Sequence, residues 1–168
     1  MKKILLLIFI TVLTTQVFAQ KMPKQAQFQV PVETVTAKQI DFTGNRKARQ
    51  FRTNLKEALA EGKINFAGKF IIAEWGCGSG CTQAAIIDAQ TGKVFFPDVL
   101  WQVLAGSISL GEREMLEYKK DNRLLIIAGY AGMNGGDSEK FQHGIFYLEW
   151  TGTNFKLLKF INKPLPKV

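Results

Sequence analysis

The chain has 168 residues, of which 22 are basic, 14 are acidic, two are cysteine and one is histidine. That length supports one domain with a real core. The lysines are scattered, so the positive balance reads as a bias towards anionic surfaces and excludes a nucleic-acid footprint. A single histidine leaves little material for acid–base catalysis.

The chain starts with Lys2 and Lys3, followed by an almost wholly apolar run over 4–12. Val17-Phe18-Ala19 then supplies small or β-branched residues where a signal peptidase reads. The pattern predicts a secretory signal peptide over 1–19. The apolar run is shorter than the roughly 20 residues a bilayer span requires. Gln20, rather than a cysteine, follows the cleavage point, which argues against a lipoprotein anchor. The expected mature chain is periplasmic or secreted and does not span the membrane. Removing Lys2 and Lys3 from the 22 basic residues leaves 20 against 14 acidic ones. Two cysteines in an exported chain predict one disulfide.

Residues 20–44 are polar and hold Pro23 and Pro31. They are expected to form an extended, mobile N-terminal arm with one edge strand near 33–40. Over 45–61, Ala48, Phe51, Leu55, Ala58 and Leu59 recur at helical spacing on one face, and Gly62 supplies a stop. Arg49, Arg52 and Lys56 lie along one border of that stripe. They make either a solvated flank or a contact for an acidic partner.

Beyond Phe66 the period changes to that of strands. Strands are predicted over 69–75, 82–88 and 93–96, with a hairpin turn at 88–92 in which Asp88 accepts backbone bonds and Gly92 takes the left-handed position. Pro97 ends the third strand. Residues 98–111 suit a short strand or a helical turn equally. Further strands are predicted over 115–118, 123–129, 143–150 and 155–161. In the 143–150 strand Phe146, Leu148 and Trp150 alternate with Ile145, Tyr147 and Glu149. A glycine-rich loop with Asn134, Asp137 and Ser138 spans 130–142, and a tail with Pro164 and Pro166 spans 163–168. Short turns favour antiparallel neighbours. The expected fold is a single α+β domain over 45–162: one N-terminal amphipathic helix followed by a curved antiparallel β-meander of about six strands.

The chemistry concentrates in Trp75-Gly76-Cys77-Gly78-Ser79-Gly80-Cys81. A glycine-rich turn can bring cysteines four apart to the roughly 4.4–6.8 Å Cα separation of a disulfide. Closing so small a loop contributes only about 2 kcal/mol in the chain-entropy model, so the bridge would shape a tip rather than staple the domain. Three sharper readings compete. Redox exchange uses two residues between the cysteines and a helix N-terminus, whereas here there are three residues and flanking strands. Copper would suit Cys77 and Cys81 with His143, a layout that resembles the proteins delivering copper to respiratory oxidase, although their thioredoxin-like fold is not predicted here. Nucleophilic catalysis would rest on Ser79-Gly80-Cys81, which resembles the Ser-His-Gly-Cys core of L,D-transpeptidases without its histidine. Asp137, Ser138 and His143 gather the residue types of a hydrolase triad. Gly136-Asp137-Ser138 matches the start of the GDSL signature, but in the wrong order and fold class. Asn134, Asp137 and Glu139 are too few for a calcium loop. Gly76, Gly78 and Gly80 would also suit a backbone nest for an anion.

Asn65-Phe66-Ala67-Gly68, Trp75-Gly76-Cys77-Gly78 with Cys81, Ile86-Ile87-Asp88 and Thr91-Gly92-Lys93-Val94 form a pattern. With Phe51-Arg52-Thr53 ahead of it, that pattern resembles a widespread set of small exported bacterial proteins. The resemblance covers about 48–94. It implies an exported, bacterial, β-rich and disulfide-containing protein, and brings no activity with it. The combined expectation is a non-catalytic binding module of the bacterial envelope without metal or cofactor. It would present the loop Trp75, Gly76, Gly78, Ser79 and Gly80, a second loop with Asn134, Asp137, Ser138 and His143, and the basic helix flank. The partner would be an acidic protein or an anionic envelope polymer. The alternative is a thiol-redox, copper-binding or hydrolytic protein using Cys77, Cys81 and His143.

Overall fold

A computed structural model describes residues 22–105, 114–132 and 141–163. The predicted signal peptide, Asn134, Asp137, Ser138, Pro164 and Pro166 lie outside the described residues. The β-branched and aromatic runs form β1 (Phe70–Gly78), β2 (Cys81–Asp88), β3 (Val94–Phe95), β4 (Val103–Leu104), β5 (Leu116–Glu117), β6 (Leu124–Ala131), β7 (Gln142–Trp150) and β8 (Phe155–Asn162). They make one antiparallel sheet in the order β1-β2-β4-β6-β7-β8, with β3 against β2 and β5 against β6. The domain is therefore α+β, with eight strands among the described residues where about six were expected. The ambiguous stretch after Pro97 holds both candidate elements: a 3-10 turn at Asp98–Leu100 and then β4. Two residues cannot show a period, yet Val103 and Leu104 bridge β2 to β6 and make the sheet continuous.

Alternation divides the sheet into two faces. Phe70, Ile72, Ile86, Leu125, Ile127, Phe146, Leu148 and Trp150 point into one core, which Phe66 and Phe155 complete. Although β2, β4 and β6 stand between β1 and β7, the rings of Phe70 and Trp150 lie 5.4 Å apart. The sheet thus curls until its inner face meets itself around Trp150. On the outer face, Leu124, Ile126 and Tyr147 pack with Phe28 from the N-terminal arm. The outer face of β1 and β2 takes the helices.

The helical stretch is interrupted. It comprises α1 (Arg46–Gln50) and α2 (Arg52–Ala60), separated by Phe51 at φ −105° and ψ 27°. Asn45 caps α1: its Oδ1 accepts from the Ala48 N–H, while its amide donates to the Val94 carbonyl at 3.1 Å. Ala48, Leu55 and Leu59 are buried against Ile71, Ala73, Ala85 and Ile87. Fully burying a leucine is worth about 1.5–3 kcal/mol, so this docking outweighs the propensity lost at the break. The single helix expected over 45–61 is interrupted at Phe51, whose ring stacks on Trp75 while both pack against the same core as the helical stripe. No helix among the described residues is long and apolar enough to cross a membrane.

The expected edge strand at 33–40 does not form. The arm crosses two turns and bonds to isolated carbonyls: Glu33 N–H to Gly68 O at 2.7 Å, Thr36 and Ala37 N–H both to Ala89 O at 3.0 Å, and Asp41 N–H to Gly92 O at 2.9 Å. Two successive donors sharing one acceptor cannot belong to a strand ladder, which alternates its donors. Ile40 ends up only 4% exposed. The 88–92 turn is as the sequence predicts, with Asp88 Oδ1 accepting from the N–H groups of Gln90 and Thr91 and Oδ2 paired with Lys69 at 3.3 Å. Gly92 is required twice over: its φ is +76°, and a Cβ there would lie 2.1 Å from the Gln39 carbonyl.

Candidate functional site: a bridged tip beside a basic groove

The β1–β2 hairpin pairs residue by residue from Phe70↔Asp88 to Gly76↔Thr82, then shifts register to Gly78↔Cys81. The shift leaves Cys77 as a bulge facing Cys81, and the two form a disulfide with Cα atoms 5.1 Å apart. Gly78 and Gly80 have φ of 135° and 63°, values that suit glycine. The strands therefore extend further than 75 and begin earlier than 82, with the bridge at their very end. Residues 76–80 are all exposed, whereas Cys81 is buried. Ala105 N–H donates to Gly80 O at 2.7 Å, tying the tip to the chain after β4.

Trp75, at the base of the tip, donates its indole N–H to Gln83 Oε1 at 3.0 Å. Its ring stacks on Phe51 at 4.7 Å, and Phe51 in turn meets Trp101 edge-on at 5.9 Å and Phe96 at 6.1 Å. The Lys47 ammonium lies 3.6 Å from the Trp101 ring centroid and 5.2 Å from that of Phe96. Burial holds the Lys47 pKa below the usual lysine value, with Asp98 opposing the shift. The sequence reading missed this cluster. Its signal was the crowding of aromatics at 75, 96 and 101, unreadable while the element holding Trp101 stayed ambiguous.

The predicted basic flank takes shape against the arm. Arg49, Arg52 and Lys56 are all exposed, and none of their side chains makes an ion pair or hydrogen bond among the described residues. Three adjoining hollows share Phe42: about 570 Å³ beside Arg52 and Lys56, about 590 Å³ beside Arg49, and about 280 Å³ between Arg49 and Arg52. Together they make one groove between α1–α2 and arm residues 37–43. Ile40 and Leu59 line its floor, Phe42 stands in its middle, and Lys38 adds a cation on the arm side. Asp41 is the one acid along it among the described residues, its carboxyl held below the usual range by bonds from Thr43, the backbone N–H first.

The structure does not bring His143 to the cysteines. Sheet register places Cys81, Leu104, Tyr130 and His143 in one row, three strand spacings or about 14 Å from end to end. His143 is buried, its Nδ1–H donates to the Lys163 carbonyl, and its ring lies 4.1 Å from that of Tyr130. Bridged sulfurs offer no thiolate to a metal or substrate in this state. Among the described residues, no three histidine, cysteine or acidic side chains cluster to hold a metal ion. No protein family, curated protein or solved structure matches the chain.

Proposed function

We propose that this chain is an exported, non-catalytic binding module of the bacterial envelope that presents its bridged tip and the adjoining basic flank to an anionic partner. That partner is an acidic protein or an anionic envelope polymer. The Phe51–Trp75 stack carries the reading. Phe51 stands between Arg49 and Arg52 in the chain, and Trp75 immediately precedes the tip. One ring contact therefore joins the two features into a single preorganised surface, of the kind that binds without first having to order itself. The signal-like N-terminus, the disulfide and the resemblance to small exported bacterial proteins support the same compartment.

The test is capture from an envelope extract by the mature chain. Capture should fall with added salt and be lost in the R49E/R52E double variant, while a thiol titration of the exported protein finds no free sulfhydryl. Equal capture by the variant, or two free thiols together with bound copper, would overturn the reading.

A further inference from the structure

We infer that the groove between the arm and α2 is a docking site for an acidic peptide segment carrying apolar side chains, presented by a protein partner. The inference rests on the binding-module reading and narrows it to one class of ligand. The floor is apolar at the Arg52 and Lys56 end, where Ala37, Ile40, Leu59 and Ala60 line it beside the half-buried Phe42, and polar at the Arg49 end, where Asp41, Thr43 and Thr91 line it. The rim is cationic. Arg52 and Lys56 stand about 6 Å apart along α2 on helical rise, and Arg49 on α1 shares a hollow with Arg52. Their charges have no ion-pair partner among the described residues.

A site that is apolar below and cationic above is complementary to a ligand with both characters. A uniformly polar polyanion would satisfy the rim but desolvate the floor for no apolar contact. An acyl chain would satisfy the floor, but the α2 residues that line it, Arg52 to Ala60, span only about 12 Å. That is too short to sheathe a lipid tail. A peptide bearing glutamates beside leucine or phenylalanine meets both demands, and arginine takes each carboxylate through two parallel N–H bonds. The site is also prebuilt. The arm wall is fixed by the bonds from Thr36, Ala37 and Asp41 to the 88–92 turn, so little ordering is left for the binding event.

The test is fluorescence anisotropy of the mature chain against a labelled synthetic peptide of glutamate, leucine and phenylalanine. An all-glutamate peptide of equal charge, inorganic polyphosphate and anionic phospholipid vesicles serve as rival probes. The mixed peptide should bind tightest. The R52E/K56E variant, checked by circular dichroism to be folded, should weaken it by about tenfold or more, the equivalent of about 1.4 kcal/mol. Phe42→Ala should weaken the mixed peptide but not the all-glutamate one. Lys156→Glu, which reverses an exposed charge outside the three hollows, should leave peptide binding unchanged and so separates the site from an effect of net charge. Tighter binding of polyphosphate or vesicles, no binding of the mixed peptide, or binding indifferent to R52E/K56E would overturn the inference. Envelope capture that persists in any of those cases leaves the binding-module reading standing, so the two can fail separately.

Discussion

At the tip of the β1–β2 hairpin, shape is set by residues four apart: Cys77 and Cys81 close a covalent ring around three exposed residues. In the groove, shape is set by segments far apart in sequence, with Asp41 bonded to Gly92, Asn45 to Val94, and Ile40 buried beside Leu59. The tip is a local object and keeps its form while the two strands beside it stay paired. The groove is a tertiary object, and it exists only while the arm is down. A ligand at the tip would therefore report the covalent state of the protein, and one in the groove would report the docking of the arm.

The sharpest way to break the comparison is Gly92→Ala. The new Cβ would meet the Gln39 carbonyl, and the residue would stay at φ +76°. A left-handed alanine alone costs roughly 1–2 kcal/mol, so the total loss should exceed about 2 kcal/mol by urea denaturation. Proteolysis within the arm should accelerate while the disulfide stays intact. Unchanged arm cleavage would mean that this turn does not hold the groove.

Replacing both Cys77 and Cys81 by serine should cost about 2 kcal/mol from loop closure, read as a shift in the denaturation midpoint. Arm cleavage should stay at its original rate. A coupled loss of arm protection would erase the distinction between the two regions.

A smaller change probes the strand that leads to the tip. Tyr118 donates its hydroxyl to Glu74 Oε1 at 2.6 Å, just before Trp75. Burial, then the bond to Glu74 and its charge, push the Tyr118 pKa well above its ordinary value of 10.0. The unfolded chain releases this proton near pH 10 and the folded chain only at higher pH. The contribution is thus fully present below pH 10 and is lost as pH rises beyond it. Tyr118→Phe should cost about 1 kcal/mol at neutral pH and flatten the alkaline limb of a stability–pH curve. An alkaline limb as steep as the wild type's would show that another group produces it.

What the sequence made legible was local or periodic. The Asp88–Gly92 turn, the alternation of Phe146, Leu148 and Trp150, the stripe of Ala48, Leu55 and Leu59, and the cysteine pair each carry their signal within a few residues. The rest depends on partners that sequence does not announce. Phe51 fits the helical stripe, and nothing near it in sequence announces the break in the helix there or the stacking of its ring on Trp75. β4 is too short to have a period. The row of Arg49, Arg52 and Lys56 could be read, but the wall opposite could not, because the arm bonds to single carbonyls of distant turns and so mimics an edge strand. The union of Lys47 with Trp101 has the same origin, a contact between elements whose placement required the whole fold.

The meeting of the sheet with itself around Trp150 has a consequence for how the chain must assemble. Trp150 touches Phe66, Phe70, Phe95 and Phe155, residues supplied by both ends of the domain. Its site is complete only when β1 and β7 belong to the same sheet. Such non-local closure places the chain among the slower folders of its size, in the millisecond-to-second range typical of β-rich domains. A partly folded chain in which β1 and β7 have not met lacks the Trp150 contacts of Phe66 and Phe70, and uncovered apolar surface of that kind favours aggregation.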